Sequence, residues 1–361
     1  MKYETKINRS VKIYEMTTMI CKMNNHAEER NQLCICLARV SKERDIKNKE
    51  KRERGEKTQV KLDIFTMPSH IKKMFGEFLK TPKYTELSIM RGHTAWVNCL
   101  TIHENKLYST SEDKTIKIWD IETHELVATL RGHTEGVLWL TIHENKLYSG
   151  SDDNTIRVWN TETYELVATL EGHTGDVCGL TLHKNMIYSG SGDTTIKIWN
   201  AETYEQVATL EGHTNWVNCL AIHENKLYSG SGDNTIKIWN TETYELVATL
   251  RGHTDYVRCL AIHENKLYSG SEDNTIWVWN TETHKPIATL EGHIDSVLCL
   301  AIHENKLYSG SDDKTFRVWN TKTYEEIANL RGHTDYVLCL TNDGNKLYTG
   351  SGDKTIRVWK I

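Results

Sequence analysis

An all-β ring of seven four-stranded sheets, a seven-bladed β-propeller, is the fold class that three observations in this chain predict. A Gly-His pair recurs at an unbroken spacing of 40 residues, as Gly92-His93, Gly132-His133, Gly172-His173, Gly212-His213, Gly252-His253, Gly292-His293 and Gly332-His333. A Trp follows each pair at a fixed distance, at Trp119, Trp159, Trp199, Trp239, Trp279, Trp319 and Trp359. Between these anchors lie short apolar runs broken by turn residues, with no helical periodicity. A constant period of about 40–45 residues reads as a radial array, because one such unit cannot bury its faces alone.

The repeat at 131–170 shows the elements in order. Val137–His143 is an apolar run and reads as the first strand. Glu144-Asn145 follows as a hairpin turn, with Asn expected to take the positive φ. Lys146–Ser151 reads as the second strand, Asp152-Asp153-Asn154 as the next turn, 155–159 as an alternating third strand and 165–170 as the fourth. The chain reaches Ile361 just after the third strand of the seventh unit, which therefore lacks its fourth. An unmatched strand-like piece, Tyr84-Thr85-Glu86-Leu87-Ser88-Ile89-Met90, precedes the first Gly-His pair. If it completes the last sheet, the ring closes over residues 85–361 and no free edge remains.

Residues 1–84 carry no repeat and read as a basic arm, helical or partly disordered. They hold 20 Lys/Arg against 11 Asp/Glu, a net of +9, whereas the remainder holds 24 against 38, a net of −14. That asymmetry suggests an intramolecular contact or two partners of opposite sign, the plainer reading being a solvated arm. The highly charged stretch 41–57 reads as solvated helix or disorder rather than a nucleic-acid patch. Within 69–80, Pro68 and Ser69 supply a helix start, and Ile71, Met74, Phe75, Phe78 and Leu79 share one face. Such a helix would dock on the ring or on a partner. Cys21, His26, Cys34 and Cys36 have a spacing that matches no closed zinc site, so no metal or other cofactor is expected.

Nine cysteines form no disulfide framework. Cys99, Cys219, Cys259, Cys299 and Cys339 share one register, which reads as a small buried apolar residue repeated in separate blades, too far apart to bridge. This usage fits a reducing compartment. No apolar stretch reaches about 18 residues and no signal-peptide core is visible. The expectation is a soluble protein of the cytoplasm, with the nucleus as the alternative, and no membrane partner.

Residues 85–361 resemble the WD-repeat (WD40) propeller family in all seven units. The resemblance implies a buried hydrogen-bond chain in each blade. Its matching residues are the histidines and tryptophans named above, the turn aspartates Asp113, Asp153, Asp193, Asp233, Asp273, Asp313 and Asp353, and the hydroxyls Ser109, Ser149, Ser189, Ser229, Ser269, Ser309 and Thr349. One departure is visible: the eponymous dipeptide is Trp-Asp only at Trp119-Asp120, Trp-Asn in five repeats and Trp-Lys at Trp359-Lys360. The blades are most similar to those of F-box and TRAF-type WD proteins and of amoeboid heavy-chain kinases, with the run Leu147-Tyr148-Ser149-Gly150-Ser151 typical of them.

Repeats 131–170 and 211–250 agree at 31 of 40 positions, so what differs between repeats is the informative part. The resemblance implies that the residues flanking the Val after Gly-His, and the residue before the turn Asp, point to the top face, the usual binding surface. Before the Val stand Trp96, Gly136, Asp176, Trp216, Tyr256, Ser296 and Tyr336; after it Asn98, Leu138, Cys178, Asn218, Arg258, Leu298 and Leu338. Before the turn Asp stand Glu112, Asp152, Gly192, Gly232, Glu272, Asp312 and Gly352. Aromatics around an anionic mouth suit a cation, so the expected ligand is a protein or peptide bearing Lys, Arg or methyl-lysine. The plainer reading is that the aromatics pack on one another and the carboxylates keep the face soluble.

The same pattern argues against other functions. Phosphate readers of this family need several arginines at these positions, and only Arg258 is present among five acids, which also disfavours nucleic acid on that face. The His, Ser and Asp set invites a hydrolase reading, but seven equal copies are scaffold, since catalysis needs one distinct constellation. The second set, His103, His143, His183, His223, His263 and His303, sits beside hairpin turns and is expected to be half-exposed. The expected function is a non-catalytic interaction scaffold, the alternative a substrate-recognition subunit of a ubiquitin ligase complex. No F-box, RING or kinase pattern is visible.

Overall fold

The computed structural model describes residues 84–361. The arm, its amphipathic segment and the Cys21–Cys36 group lie outside the described residues. Within them are seven antiparallel sheets of four strands each, six formed by consecutive strands. We number the blades from the amino-terminal side: blade 1 spans 97–131, blade 2 137–170, blade 3 177–210, blade 4 217–251, blade 5 257–290 and blade 6 297–331. Blade 7 contains Val337–Asn342, Lys346–Ser351 and Thr355–Lys360, and its outer strand is Thr85–Arg91, paired antiparallel with Thr355–Lys360. The predicted closure is thus present, and the ring joins its two chain ends in one sheet.

Alternation explains how flat sheets become a packed ring. In the second strand of blade 2, Leu147 and Tyr148 point to opposite faces, as successive strand residues must. Leu147 packs with Tyr108, Ile116 and Ile118 of blade 1, whereas Tyr148 packs with Val177, Leu180 and Trp199 of blade 3. Each blade therefore shares one core with either neighbour. The last shared core is the seam itself: Met90, Tyr348, Ile356 and Val358 of blade 7 pack on Val97, Leu100, Leu107 and Trp119 of blade 1. Each fully buried aliphatic contributes about 1.5–3 kcal/mol relative to exposure, so the seam is as strongly held as any other blade contact. At the opposite end of the seam, Ser88 Oγ meets His124 Nδ1 at 2.8 Å.

The hydrogen-bond chain is complete in all seven blades. The indole N–H of each Trp donates to the Ser or Thr oxygen at 2.8–2.9 Å. That hydroxyl lies 2.7–2.8 Å from the His Nε2. The His Nδ1 in turn lies 2.7–2.8 Å from the Asp carboxylate. An indole can only donate and a carboxylate can only accept, so a neutral imidazole protonated at Nδ1 and receiving the hydroxyl hydrogen at Nε2 satisfies every member. Burial pushes the Asp113 carboxyl up, but hydrogen bonds from His93 and Thr115 outweigh it and hold the group well below the carboxylate range.

One local feature differs from the turn reading. The positive φ of the first hairpin falls on the glutamate in five blades, where Glu104, Glu144, Glu224, Glu264 and Glu304 have φ of 51–54°, and on both Lys184 and Asn185 in blade 3. Asparagine is used otherwise, since the Asn145 carbonyl accepts from Thr161 N and its side chain donates to Glu162 Oε1 at 3.0 Å. The cysteines of the shared register are free, as expected, although the inner strands run close together: a Cβ at Gly179 would lie 3.2 Å from the Cys219 Cα. Cys219, Cys259, Cys299, Cys339 and Cys99 form a continuous arc of free, buried thiols on five adjacent blades. Burial, with Cys219 and Cys299 alongside, pushes the Cys259 thiol far above its ordinary value.

The Trp-Asn substitutions are explained as well. Asn160 Oδ1 accepts from the backbone N of Glu162 and Thr163 at 2.8 Å, just as Asp120 Oδ1 does from Glu122 and Thr123. Either side chain caps the turn before the outer strand.

Ser149 is fully buried, and it is the central link of one chain. Ser149→Ala leaves the Trp159 N–H without an acceptor and His133 Nε2 without a donor, so it should cost about 1–3 kcal/mol. Urea unfolding of the variant against wild type measures this directly.

Candidate functional site

Each blade carries the same device at the end formed by its second-to-third-strand turn and the loop leading into its inner strand. The inner strand is bulged in all seven: its pairing register shifts between Val97 and Cys99, Val137 and Trp139, and at each equivalent pair. The residue after the Val is the extra one, and a bulge re-aims the side chain it carries. A backbone bond then joins the residue before the turn Asp to the residue before the Val, as Glu112 N to Trp96 O at 3.1 Å and Asp152 N to Gly136 O at 3.0 Å. The same bond recurs in the other five blades. The three variable positions of every repeat are therefore gathered at one end of the ring, here called the top.

Blades 1 to 3 form an anionic arc. The carboxylates of Glu112 and Asp152 converge from adjacent blades over Gly136, and a Cβ there would collide with Glu112 Oε2 and lie 2.8 Å from Asp152 Oδ2. Burial, then the charges of Glu112, Asp176, Glu135 and Asp153, push the Asp152 carboxyl up to about 7. Burial raises Asp176 as well. Glu112 receives a hydrogen bond from Asn98 Nδ2 at 2.9 Å. None of Glu112, Asp152 and Asp176 has an ion-pair partner among the described residues.

Aromatic rings bound that arc. Trp96 stands edge-on to Tyr336 of blade 7, with centroids 6.0 Å apart. Trp216 leans over Gly192 of blade 3, 3.4 Å from where a Cβ would stand. Trp96 is 44% exposed, Trp216 45% and Tyr256 38%, unusual for large aromatics, while Tyr336 is half-buried. Some aromatic self-packing is thus present, but it leaves nearly half of each tryptophan exposed.

The far side of the ring is different. Arg258 Nε donates to Glu272 Oε1 at 2.6 Å, its guanidinium pairs with the same carboxylate, and it lies 5.8 Å from the Tyr256 ring centroid. This acid and this base cancel. Burial, with Asp295 beside it, raises Asp312 to about 6, although Ser296 and Arg258 oppose the shift. Asn218 departs from the binding role its position suggested. It is buried and donates from Nδ2 to Val257 O at 3.0 Å, clamping blade 4 to blade 5. Asn98 makes the equivalent bond to Val137 O at 3.1 Å.

One variable position escaped sequence reasoning. The residue two before the Val reads Ala95, Glu135, Gly175, Asn215, Asp255, Asp295 and Asp335, and it too lies at the top. Its variation between otherwise near-identical repeats is the signal that could have found it. Glu135 is ion-paired with Lys114 at 2.9 Å, so it adds less negative charge than its type implies.

The seven histidines bonded to the hydroxyls and turn aspartates are 6–7% exposed and equally engaged in every blade, which leaves none of them distinguished from the others. Among the described residues no three His, Cys, Asp or Glu are arranged to hold a metal ion, and no helix is long and apolar enough to cross a membrane.

This architecture defines a class, the repeat-built propeller that presents variable side chains on a constant frame. The chain belongs to the WD40 family (WD domain, G-beta repeat), whose model matches residues 84–120, 124–160, 164–200, 204–240, 244–280, 284–320 and 324–360. Relatives match over short stretches. The probable E3 ubiquitin ligase complex SCF subunit scon-2 of Neurospora crassa is 46% identical over 50 residues, covering 14% of this chain and 8% of that protein. Nuclear distribution protein PAC1 of Candida glabrata is 48% identical over 40 residues, 11% of this chain and 9% of its own length. An F-box protein of Saccharomyces cerevisiae is 49% identical over 37 residues, 10% and 6% respectively. The chain thus spans less than a tenth of the length of these relatives. Propellers of this family serve as protein-interaction scaffolds.

Asp152 is raised to about 7 in the folded protein against an ordinary 3.8, so the stability it contributes is fully present below about pH 4 and is lost as pH rises through 7. Asp152→Asn, neutral at every pH, should therefore raise the melting temperature at pH 8 and have almost no effect at pH 4. Thermal scans at both pH values check the sign.

Proposed function

We propose that this protein is a non-catalytic scaffold that captures a basic, Lys- or Arg-bearing segment of another protein on its acidic and aromatic top face. The observation that carries the reading is the anionic arc of Glu112, Asp152 and Asp176 held between exposed Trp96 and Trp216. A cationic side chain there gains both charge pairing and attraction to the aromatic faces, about 0.5–2 kcal/mol for each ring engaged. A phosphate or nucleic-acid backbone would meet repulsion instead, because the single Arg258 is already paired with Glu272. We place the interaction in the cytoplasm, where the free buried thiols stay reduced.

A second reading has a specific observation behind it: two of the relatives are named as an SCF ubiquitin ligase subunit and an F-box protein. In that reading the same face selects a substrate for a ligase complex. The matched stretches are about one repeat long, which is the part of the blade that carries the frame, so the first reading is preferred.

Replacing Trp96, Trp216, Tyr256 and Tyr336 together by Ala should remove partners from affinity purifications of the native cell extract by at least tenfold while preserving the cooperative melt. Loss of basic-segment partners supports the first reading, and co-purifying ligase components in the wild type support the second. Identical partner sets from wild type and variant would refute both as assignments to this face.

A further inference from the structure

Two carboxylates brought over one glycine in adjacent blades form a different kind of site from isolated surface acids. Glu112 sits on the turn of blade 1 and Asp152 on that of blade 2, and both oxygens crowd the space that a side chain at position 136 would fill. Four groups act on the Asp152 carboxylate, and all four are acids. Glu112 faces it from blade 1, Asp176 from blade 3, Glu135 from the loop entering blade 2, and Asp153 is its neighbour in the turn. Lys114, on the turn of blade 1, is taken by Glu135 and by the Thr134 carbonyl, and the Cys178 thiol, pushed up by burial, also faces Asp152 and Asp176. Asn98 donates to Glu112, but no side-chain donor reaches Asp152 from the described residues. Gly136 is the only glycine at the pre-Val position in the seven repeats, so this gap is peculiar to the junction of blades 1 and 2.

We propose that the Asp152 carboxyl, crowded by Glu112 over Gly136, holds a proton in the free protein and releases it to solvent when a Lys or Arg side chain of the partner segment enters the arc, making capture of a basic segment proton-coupled. The proposal rests on the top-face reading above and adds its regulation. The carboxylic O–H bond of Asp152 breaks, the proton passes to water or buffer, and the incoming ammonium or guanidinium takes its place as the compensating charge. Two close carboxylates resist ionising together, and a fixed cation removes that resistance. The burial-raised value of about 7 for Asp152 puts the exchange near neutral pH. Affinity should then be weakest in acid, tighten as pH rises through 7 and level off once Asp152 is fully ionised. Lys and Arg of the partner do not titrate in this range, so the dependence belongs to the face.

The test is isothermal titration calorimetry of the full chain with a capped deca-lysine peptide at low salt, from pH 5.5 to 8.5, in two buffers of different ionisation enthalpy. Wild type should bind about tenfold tighter at pH 8 than at pH 6 and release up to one proton per peptide near pH 6.5, the limit for a single linked group being tenfold per pH unit. Asp152→Asn should bind with the affinity of acid-state wild type at every pH and release no proton. Glu202→Gln, in an exposed turn before the outer strand of blade 3 and outside the top-face ring, should keep the wild-type slope. A pH-independent wild-type affinity, or a slope that survives in Asp152→Asn or vanishes in Glu202→Gln, overturns the coupling while leaving the basic-segment reading in place. Absence of peptide binding at every pH overturns that reading and the coupling with it.

Discussion

The hydrogen-bond chain from Trp through the hydroxyl and His to Asp is the constraint on which the rest of each blade depends. Its four members come from the third strand, the second strand, the loop entering the inner strand and the turn between strands two and three. Linking them leaves neither that loop nor that turn free to move independently. The consequence reaches the top face directly: Trp96 follows His93 by three residues and Glu112 precedes Asp113 by one, so these top-face residues are anchored through the core as well as by their own contacts. The chain also satisfies a buried indole, a buried hydroxyl and a buried imidazole together, any one of which would be costly alone. Asp113 closes the circuit further, accepting from Thr94 N at 3.0 Å and from Thr115 N at 3.1 Å.

Most of the fold was legible because each anchor residue has one job that few others can do. A Trp can donate from deep in a core, and a turn Asp can accept several hydrogen bonds at once, so their period alone specified blade number, strand order and the closing strand. Less legible were features set by backbone geometry. Nothing in the residue types at Val97-Asn98-Cys99 announces a bulge, because Asn98, Leu138, Cys178 and Arg258 share no property beyond position. The hairpin φ was misplaced for a related reason. Asn tolerates the left-handed region best, yet five hairpins put that angle on Glu, while Asn185 takes it and still accepts the turn-to-turn bond from Ala201 N, so residue type alone does not place it.

The candidate site was legible as a list of positions and not as an arrangement. Five acids and one Arg in a ring suggest diffuse negative charge. The structure instead separates them, cancelling Glu272 with Arg258 on blade 5 and concentrating Glu112, Asp152 and Asp176 on blades 1 to 3. Charge pairing of this kind depends on side-chain reach between strand and turn, which no spacing rule supplies. Asn218 illustrates the same limit, since its register matches Asn98 and yet it is buried against the next blade.

The contrast between constant frame and variable mouth has an energetic logic. A closed ring of shared cores distributes stability over seven near-equivalent interfaces, so no single top-face residue is needed to hold the fold. Unfavourable local arrangements can then persist there. The crowded carboxylates over Gly136 are such an arrangement: they oppose folding at neutral pH, and no packing gain within the blade accounts for them. Exposed indoles beside them likewise gain nothing from solvent. A cation with an apolar stem lying across them, as we propose, would relieve both. Their coincidence on one arc, opposite a side whose acid and base are already matched, is the asymmetry on which the proposed direction of binding rests.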